Sequence, residues 1–167
     1  ENNGDSSYVS MDRDKNMSFM GKLTFKALAN FKMSLLYSLN DDEWNDYSHE
    51  YKYNPEGHAS SFRRSELVSL NMNHMLNPKL FYELKLSYVE NFGGWYLYED
   101  PTDPGYIHDA YHNIDGPGFW TGGQDKDHSR RTMKDYGAKF DMTWQASKSH
   151  SFKFGVDYTV SEMISSN

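Results

Sequence analysis

The sequence predicts an all-β chain, an antiparallel up-and-down meander of about six long strands with short turns at one rim and long loops at the other. Three observations predict it. Six segments alternate apolar and polar residues with period two, the mark of strands with one apolar and one wet face. Their connections alternate strictly between short and long. No segment carries a competing helical period, and no run of eighteen apolar residues offers a membrane-crossing helix.

The strands are expected at about 18–28, 31–40, 66–76, 80–90, 132–145 and 150–161. With five positions sampled per strand, one face runs Phe19 to Ala27, Phe31 to Leu39, Val68 to Leu76, Leu80 to Tyr88, Tyr136 to Trp144 and Phe152 to Val160, and none of its thirty positions is charged. On the other face nine of thirty are charged: Lys22, Lys26, Lys32, Glu83, Lys85, Lys139, Asp141, Lys153 and Asp157. An apolar sheet face has to be covered, normally by a second sheet or a helix layer. The six strands could sandwich three against three, but their length and the order of their connections argue against it.

Ala29-Asn30, Asn77-Pro78-Lys79 and Ala146-Ser147-Lys148-Ser149 have the length and chemistry of tight hairpin turns. The other two connections, 41–65 and 91–131, are far longer than the usual loop of about five residues. Both lie at the same end of the sheet. Short turns at one rim, long loops at the other and alternating strands of about ten residues are the signature of a transmembrane β-barrel, with the bilayer as the missing apolar layer. The lipid-facing set is then Leu23, Phe25, Leu35, Leu70, Leu84, Leu86, Phe140, Met142, Phe154 and Val156. Two aromatic girdles are expected, one of Tyr37, Tyr88, Tyr136 and Tyr158 toward the long loops, the other of Phe31, Tyr82, Trp144 and Phe152 toward the short turns.

The first and last strands both have their outer ends on the long-loop side, so the chain reads as an interior piece of a barrel. Residues 1–17 are expected to be the descending end of an earlier external loop, and Glu162 to Asn167 the start of the next. Six strands cannot close a barrel at the usual tilt, since about eight are needed. An open six-strand sheet would leave two unpaired edges.

The stretches MSFMGKLTFKALANFKMSLLYSLNDDEWNDYSHEYKYNPEG, ELVSLNMNHMLNPKLFYELKLSY and KDYGAKFDMTWQASKSHSFKFGVDY resemble the barrel of TonB-dependent outer-membrane receptors, the type with a carboxypeptidase-regulatory-like N-terminal domain and a plug. The resemblance covers nearly the whole chain and rests on strand-turn-strand phrasing. It implies a barrel of about 22 strands with a plugged lumen, in the outer membrane of a Gram-negative bacterium, importing a scarce, bulky ligand of the siderophore, cofactor or glycan class. The partners it implies are outer-membrane lipid, the remaining strands and plug of the same receptor, and a TonB-type energising protein reached through segments outside this chain. A soluble secreted β-sandwich binding carbohydrate through its aromatic, acidic loops is the alternative.

Composition narrows the chemistry. The 167 residues carry a net charge of −7 and no cysteine, which leaves no disulfide framework, Cys-ligated metal site or thiol nucleophile. Lys and Arg cluster only at Arg63-Arg64 and Arg130-Arg131, which argues against nucleic acid as a partner. Aromatic richness (13 Tyr, 10 Phe, 4 Trp) is the opposite of a disordered composition. The two long loops together account for the whole net charge, so a cation-stabilised loop is one reading and plain solvated charge the other. His108 and His112, with Asp109 and Asp115, would suit a nitrogen and oxygen metal site if their segment formed one helical turn.

Trp95, Tyr96, Tyr98, Tyr106, Tyr111, Phe119 and Trp120 could stack on a sugar or an aromatic ligand, or pack on one another to order a long loop. The glycine-rich stretches Phe92-Gly93-Gly94-Trp95 and Gly116 to Gly123 lack the context of a phosphate loop and read as irregular aromatic loop. No nucleophile elbow, HExxH or catalytic triad occurs, so the expectation is a non-enzyme without a cofactor. The carboxylates Glu83, Asp141 and Asp157 read as partners of Lys85, Lys139 and Lys153.

Overall fold

The structure is a computed structural model that describes residues 9–115 and 118–166, with backbone alone for Ala27 and for residues 113–115. It is all-β, apart from two 3-10 turns at Pro55–Gly57 and Asp109–Tyr111. Six long strands, β1 (Arg13–Leu28), β2 (Phe31–Asn45), β3 (Ser60–Asn77), β4 (Leu80–Tyr96), β7 (Ser129–Gln145) and β8 (Ser151–Ser166), form one antiparallel sheet in sequence order. A separate small hairpin, β5 (Asn113–Asp115) with β6 (Phe119–Gly122), sits inside the second long connection. No strand of the large sheet is layered on another, so the three-on-three sandwich does not form. The sheet is open, with β1 and β8 as its edges.

Register explains why these residues pair as they do. Directly opposed residues in an antiparallel sheet point to the same face. The pairings align Gly21, Tyr37, Val68, Tyr88, Tyr136 and Val160 in one row across all six strands. Successive rows toward the short turns are Leu23, Leu35, Leu70, Leu86, Ala138, Tyr158, then Phe25, Met33, Met72, Leu84, Phe140, Val156. The next runs Phe31, His74, Tyr82, Met142, Phe154, and the last Leu80, Trp144, Phe152. Slipping any one strand by a single residue would turn its apolar set to the wet face, and no strand has slipped. Ala27 and Leu76 fall at two register shifts, Phe25/Leu28 and Met75/Asn77, beside the turns.

Several sequence-based boundaries are corrected. Every long strand runs farther toward the loop end than expected, so the connections shrink to 46–59 and 97–128. The segments 13–17, 41–45, 60–65, 91–96, 129–131 and 162–166 are strand. Polar composition made them read as loop. In the structure they continue the ladder, with acids placed opposite bases in register: Asp41 opposes Arg64, Asp42 opposes Arg63, and Lys15 Nζ lies 3.5 Å from Glu43 Oε2. Gly93 and Gly94 lie inside β4 and not in an irregular loop. Their flanking rings explain the tolerance, because the side chains of Phe92 and Tyr96 cover Gly94 closely enough that an added Cβ would meet Tyr96 Cε1 at 2.6 Å. Tyr158 lies one row inside the tyrosine row, where Val160 takes the place expected for it.

At the short-turn rim the connections are 29–30, 78–79 and 146–150. Lys79 N donates to Asn77 Oδ1 at 2.9 Å, an Asx turn that leaves Pro78 where no donor is needed. Asn30 ties the first hairpin to the second: its Nδ2 donates to Met75 O at 3.0 Å, and its own carbonyl accepts from Met75 N at 2.8 Å.

Candidate functional site

Among the described residues the buried apolar side chains are Ala59 and Tyr96, and both lie at the loop end. The core of this chain is therefore the cap built by the two long connections, while the apolar rows of the sheet stay uncovered. Asn45 closes the base of loop 46–59: it is 5% exposed, and its Nδ2 donates to Ala59 O and Ser60 Oγ, both at 3.1 Å. Buried polar groups have to be satisfied, and here one amide satisfies the mouth of a loop.

The two connections dock by backbone hydrogen bonds. Trp120 N donates to Glu50 O at 2.7 Å, Asp125 N to Gly57 O at 2.7 Å, and Asn54 Nδ2 to Gly123 O at 2.8 Å. Rings fill the space between them. Tyr51 stacks on His58 at 4.7 Å and on Trp120 at 5.9 Å, while the edge of His58 meets Trp95 at 5.6 Å. Phe119 lies 5.0 Å from His49 and 5.2 Å from Tyr53, and His112 sits 4.4 Å from Trp120. Nδ1 of His58 is buried without a hydrogen-bond partner, with Asp125 Oδ2 at 3.8 Å, beyond hydrogen-bond reach. Burial, reinforced by the nearby carboxylates of Asp125, Glu50 and Asp127, pushes the Tyr51 phenol up to about 12.

The structure distributes the expected ring cluster over three places. Trp95, Phe119 and Trp120 join the junction between the loops. Tyr96, the last residue of β4, faces the opposite side of the sheet from Trp95 and stacks between Phe62 (4.5 Å) and His128 (5.2 Å). Tyr98 and Tyr106 form their own edge-on pair at 4.9 Å, tied by hydrogen bonds between the Tyr106 hydroxyl and the Tyr98 backbone. Tyr111 is 67% exposed and joins no ring cluster among the described residues. Sequence reasoning missed Tyr51, His49 and His58, because nothing in the spacing of the shorter loop's rings says that they meet the other loop.

The proposed metal ligands do not converge. His108 caps the turn at Asp109–Tyr111, its Nδ1 accepting from Ala110 N at 3.1 Å. Asp109 pairs with Lys126, whose hydrogen bond holds its carboxyl below the usual carboxylate range. His112 packs on Trp120. A 3-10 turn has about three residues per turn, so positions four apart diverge by about 120° instead of sharing a face. The Asp115 side chain lies outside the described residues. Among the described residues no group of three His, Asp or Glu is placed to hold a metal ion.

On the wet face the cross-strand order is Glu83 opposite Asp141 and Lys85 opposite Lys139. Between β4 and β7 like charges face across the strands and opposite charges follow along them, with Lys139 Nζ 3.7 Å from Asp141 Oδ2, while on the β8 side Lys139 stands opposite Asp157 and Lys153 opposite Thr143. The arginine doublets, 67 positions apart in sequence, come to flank residues 92–94 of β4. Arg63 and Arg131 both oppose Gly93 on the wet face, while Arg64 opposes Phe92 and Arg130 opposes Gly94 on the other. Arg130 rests over Phe92 at 5.6 Å and its NH2 bonds Glu99 at 2.8 Å.

No protein-family model and no curated protein matches the sequence. No helix among the described residues is long and apolar enough to cross a membrane, which says nothing of crossing by strands. The case for function therefore rests on the sheet and its cap.

Proposed function

We propose that the chain is part of the barrel of an outer-membrane receptor of the TonB-dependent type, which imports a bulky, scarce ligand by energised transport and catalyses no reaction. The observation that carries this reading is the continuous apolar face. Five aligned rows extend from Tyr136 to Trp144, roughly 26 Å along a strand at about 3.3 Å per residue. Tilted by about 40°, that spans roughly 20 Å, close to the apolar band of about 25 Å that such barrels present to lipid. Tyr37, Tyr88 and Tyr136 end the band on the loop side, and the next row on the same face turns charged on four of its six strands, with Glu66, Glu90, Lys134 and Glu162 beside Phe19 and Leu39. An abrupt change from tyrosine to charge is what a membrane interface demands. Lipid, the remaining strands, a plug and a TonB-type protein are the partners in this reading.

Absence of cysteine makes the test direct. Single cysteines at Leu84, Phe140 and Val156, and at Lys85, Lys139 and Ser69, would carry an environment-sensitive dye in the full chain reconstituted into vesicles containing a brominated lipid. Quenching is expected for the first three and not for the second. Equal quenching on both faces, or none, would reject the membrane reading.

A further inference from the structure

We propose that Arg63 and Arg131 form an anion-binding site on the wet face of the sheet at its loop end, suited to a flat organic anion bearing two carboxylates. The inference deepens the receptor reading and rests on it in one respect, that this face lines a passage. Register supplies the geometry: Arg63, Gly93 and Arg131 are directly opposed neighbours on β3, β4 and β7, so the two arginine backbones stand about 10 Å apart at two strand spacings. Between them Gly93 leaves the floor open, with no atom within 4 Å of where its Cβ would be. Neither guanidinium makes an ion pair among the described residues, although the other faces of the same strands pair Arg130 with Glu99 and Lys134 with Glu90.

The walls suit a flat ligand. The next row outward on this face holds Trp44 and Trp95, and Arg63 already lies over the Trp44 ring at 5.1 Å, which holds its planar fork ready for a carboxylate. Asp42 opposes Arg63 in register, but its carboxylate accepts from Asn16 Nδ2, and no acid opposes Arg131, whose neighbour on β8 is Ser165. Two guanidiniums against the single carboxylate of Asp42 leave this opposed row with one net positive charge, within a chain of net charge −7. Glycine between two cationic strands is what lets a ligand reach the backbone, since any side chain at position 93 would fill the gap.

Terephthalate and its neutral diamide differ in charge but hardly in shape, which makes them the probes. In the full chain held in detergent micelles, terephthalate should quench tryptophan fluorescence with an affinity at least tenfold above that of the diamide, and R63Q/R131Q should remove the difference. R64Q/R130Q takes the same charge from the same strands on the opposite face and should leave it. Gly93→Asp keeps both arginines, places a carboxylate between them without steric conflict, and should abolish binding in a chain whose strand content by circular dichroism is unchanged. Equal binding of diacid and diamide, or an equal loss in R64Q/R130Q, would overturn the site. Vesicle quenching reports separately on the membrane: anion binding lost with lipid exposure intact rejects this site alone, and the reverse rejects the receptor reading alone.

Discussion

Leu84 stands directly opposite Phe140, and one residue on, Lys85 stands opposite Lys139 on the other face. Neighbours in sequence thus meet different solvents, and single substitutions can separate them. Arginine at Leu84 or Phe140, near the middle of the apolar rows, should cost roughly 2–4 kcal/mol of stability in a bilayer, whereas Lys85→Arg or Thr143→Arg should be mild. Urea unfolding in vesicles measures both, and equal costs on the two faces would sink the assignment. Tyr51 gives a second prediction, in the cap. Its folded pKa of about 12 lies above the ordinary phenol value of 10.0, so the folded state holds its proton longer than the unfolded one. The contribution is fully present below pH 10 and is lost as pH rises through about 12. Near-ultraviolet dichroism of the stacked Tyr51, His58 and Trp120 should fade over that window, and Tyr51→Phe should shift the transition to higher pH. A transition that ignores Tyr51→Phe would show that another group governs it.

Existence and pairing of the six strands were legible in the sequence because period two with an uncharged face survives in every one. Their outer ends were not. Segments such as Asp41 to Asn45 and Ser60 to Ser65 are mostly polar and keep a single aromatic residue each, Trp44 and Phe62, so no local period distinguishes a strand above the apolar rows from a loop; the register of Asp41 with Arg64 and Asp42 with Arg63 across the hairpin does so. The cap was legible as composition and not as contacts. Trp120 was visible as a candidate, but its partner Tyr51 lies 69 positions away and is fixed by a backbone bond to Glu50. One position in the small hairpin region tests the docking. Gly123 has φ +101 and an added Cβ would meet His112 Cδ2 at 2.5 Å, so Gly123→Ala combines backbone strain of about 1–2 kcal/mol with a clash. Limited proteolysis should then cut both 46–59 and 97–128 faster, with the strands untouched. Faster cleavage of 97–128 alone would show that the two connections do not support each other.

At the scale of the whole molecule, surface area sets the expectation. A compact chain of 19.5 kDa exposes roughly 8,500 Å², whereas this one exposes 12,211 Å². Large apolar side chains contribute to the excess: Leu23 is 74% exposed, Phe154 58% and Val156 53%, and among the described residues no large side chain is fully buried. Two edge strands of sixteen residues, β1 and β8, add rows of backbone donors and acceptors with one side unpaired. Both features favour association in water, one through apolar area and the other through edge-to-edge pairing. The 167-residue chain should therefore aggregate in detergent-free buffer, and sedimentation should show it dispersed only in micelles or lipid. The two causes separate by substitution. Lys at Leu23, Phe25 and Val156 should raise solubility by breaking the apolar face, while Pro at Thr24 and Thr159 should block the edges and leave that face intact. If the face dominates, the lysine variant alone disperses, as a membrane-facing surface requires. A wild-type chain that is monomeric in buffer would remove the bilayer from the account, since nothing would then be needed to cover those rows.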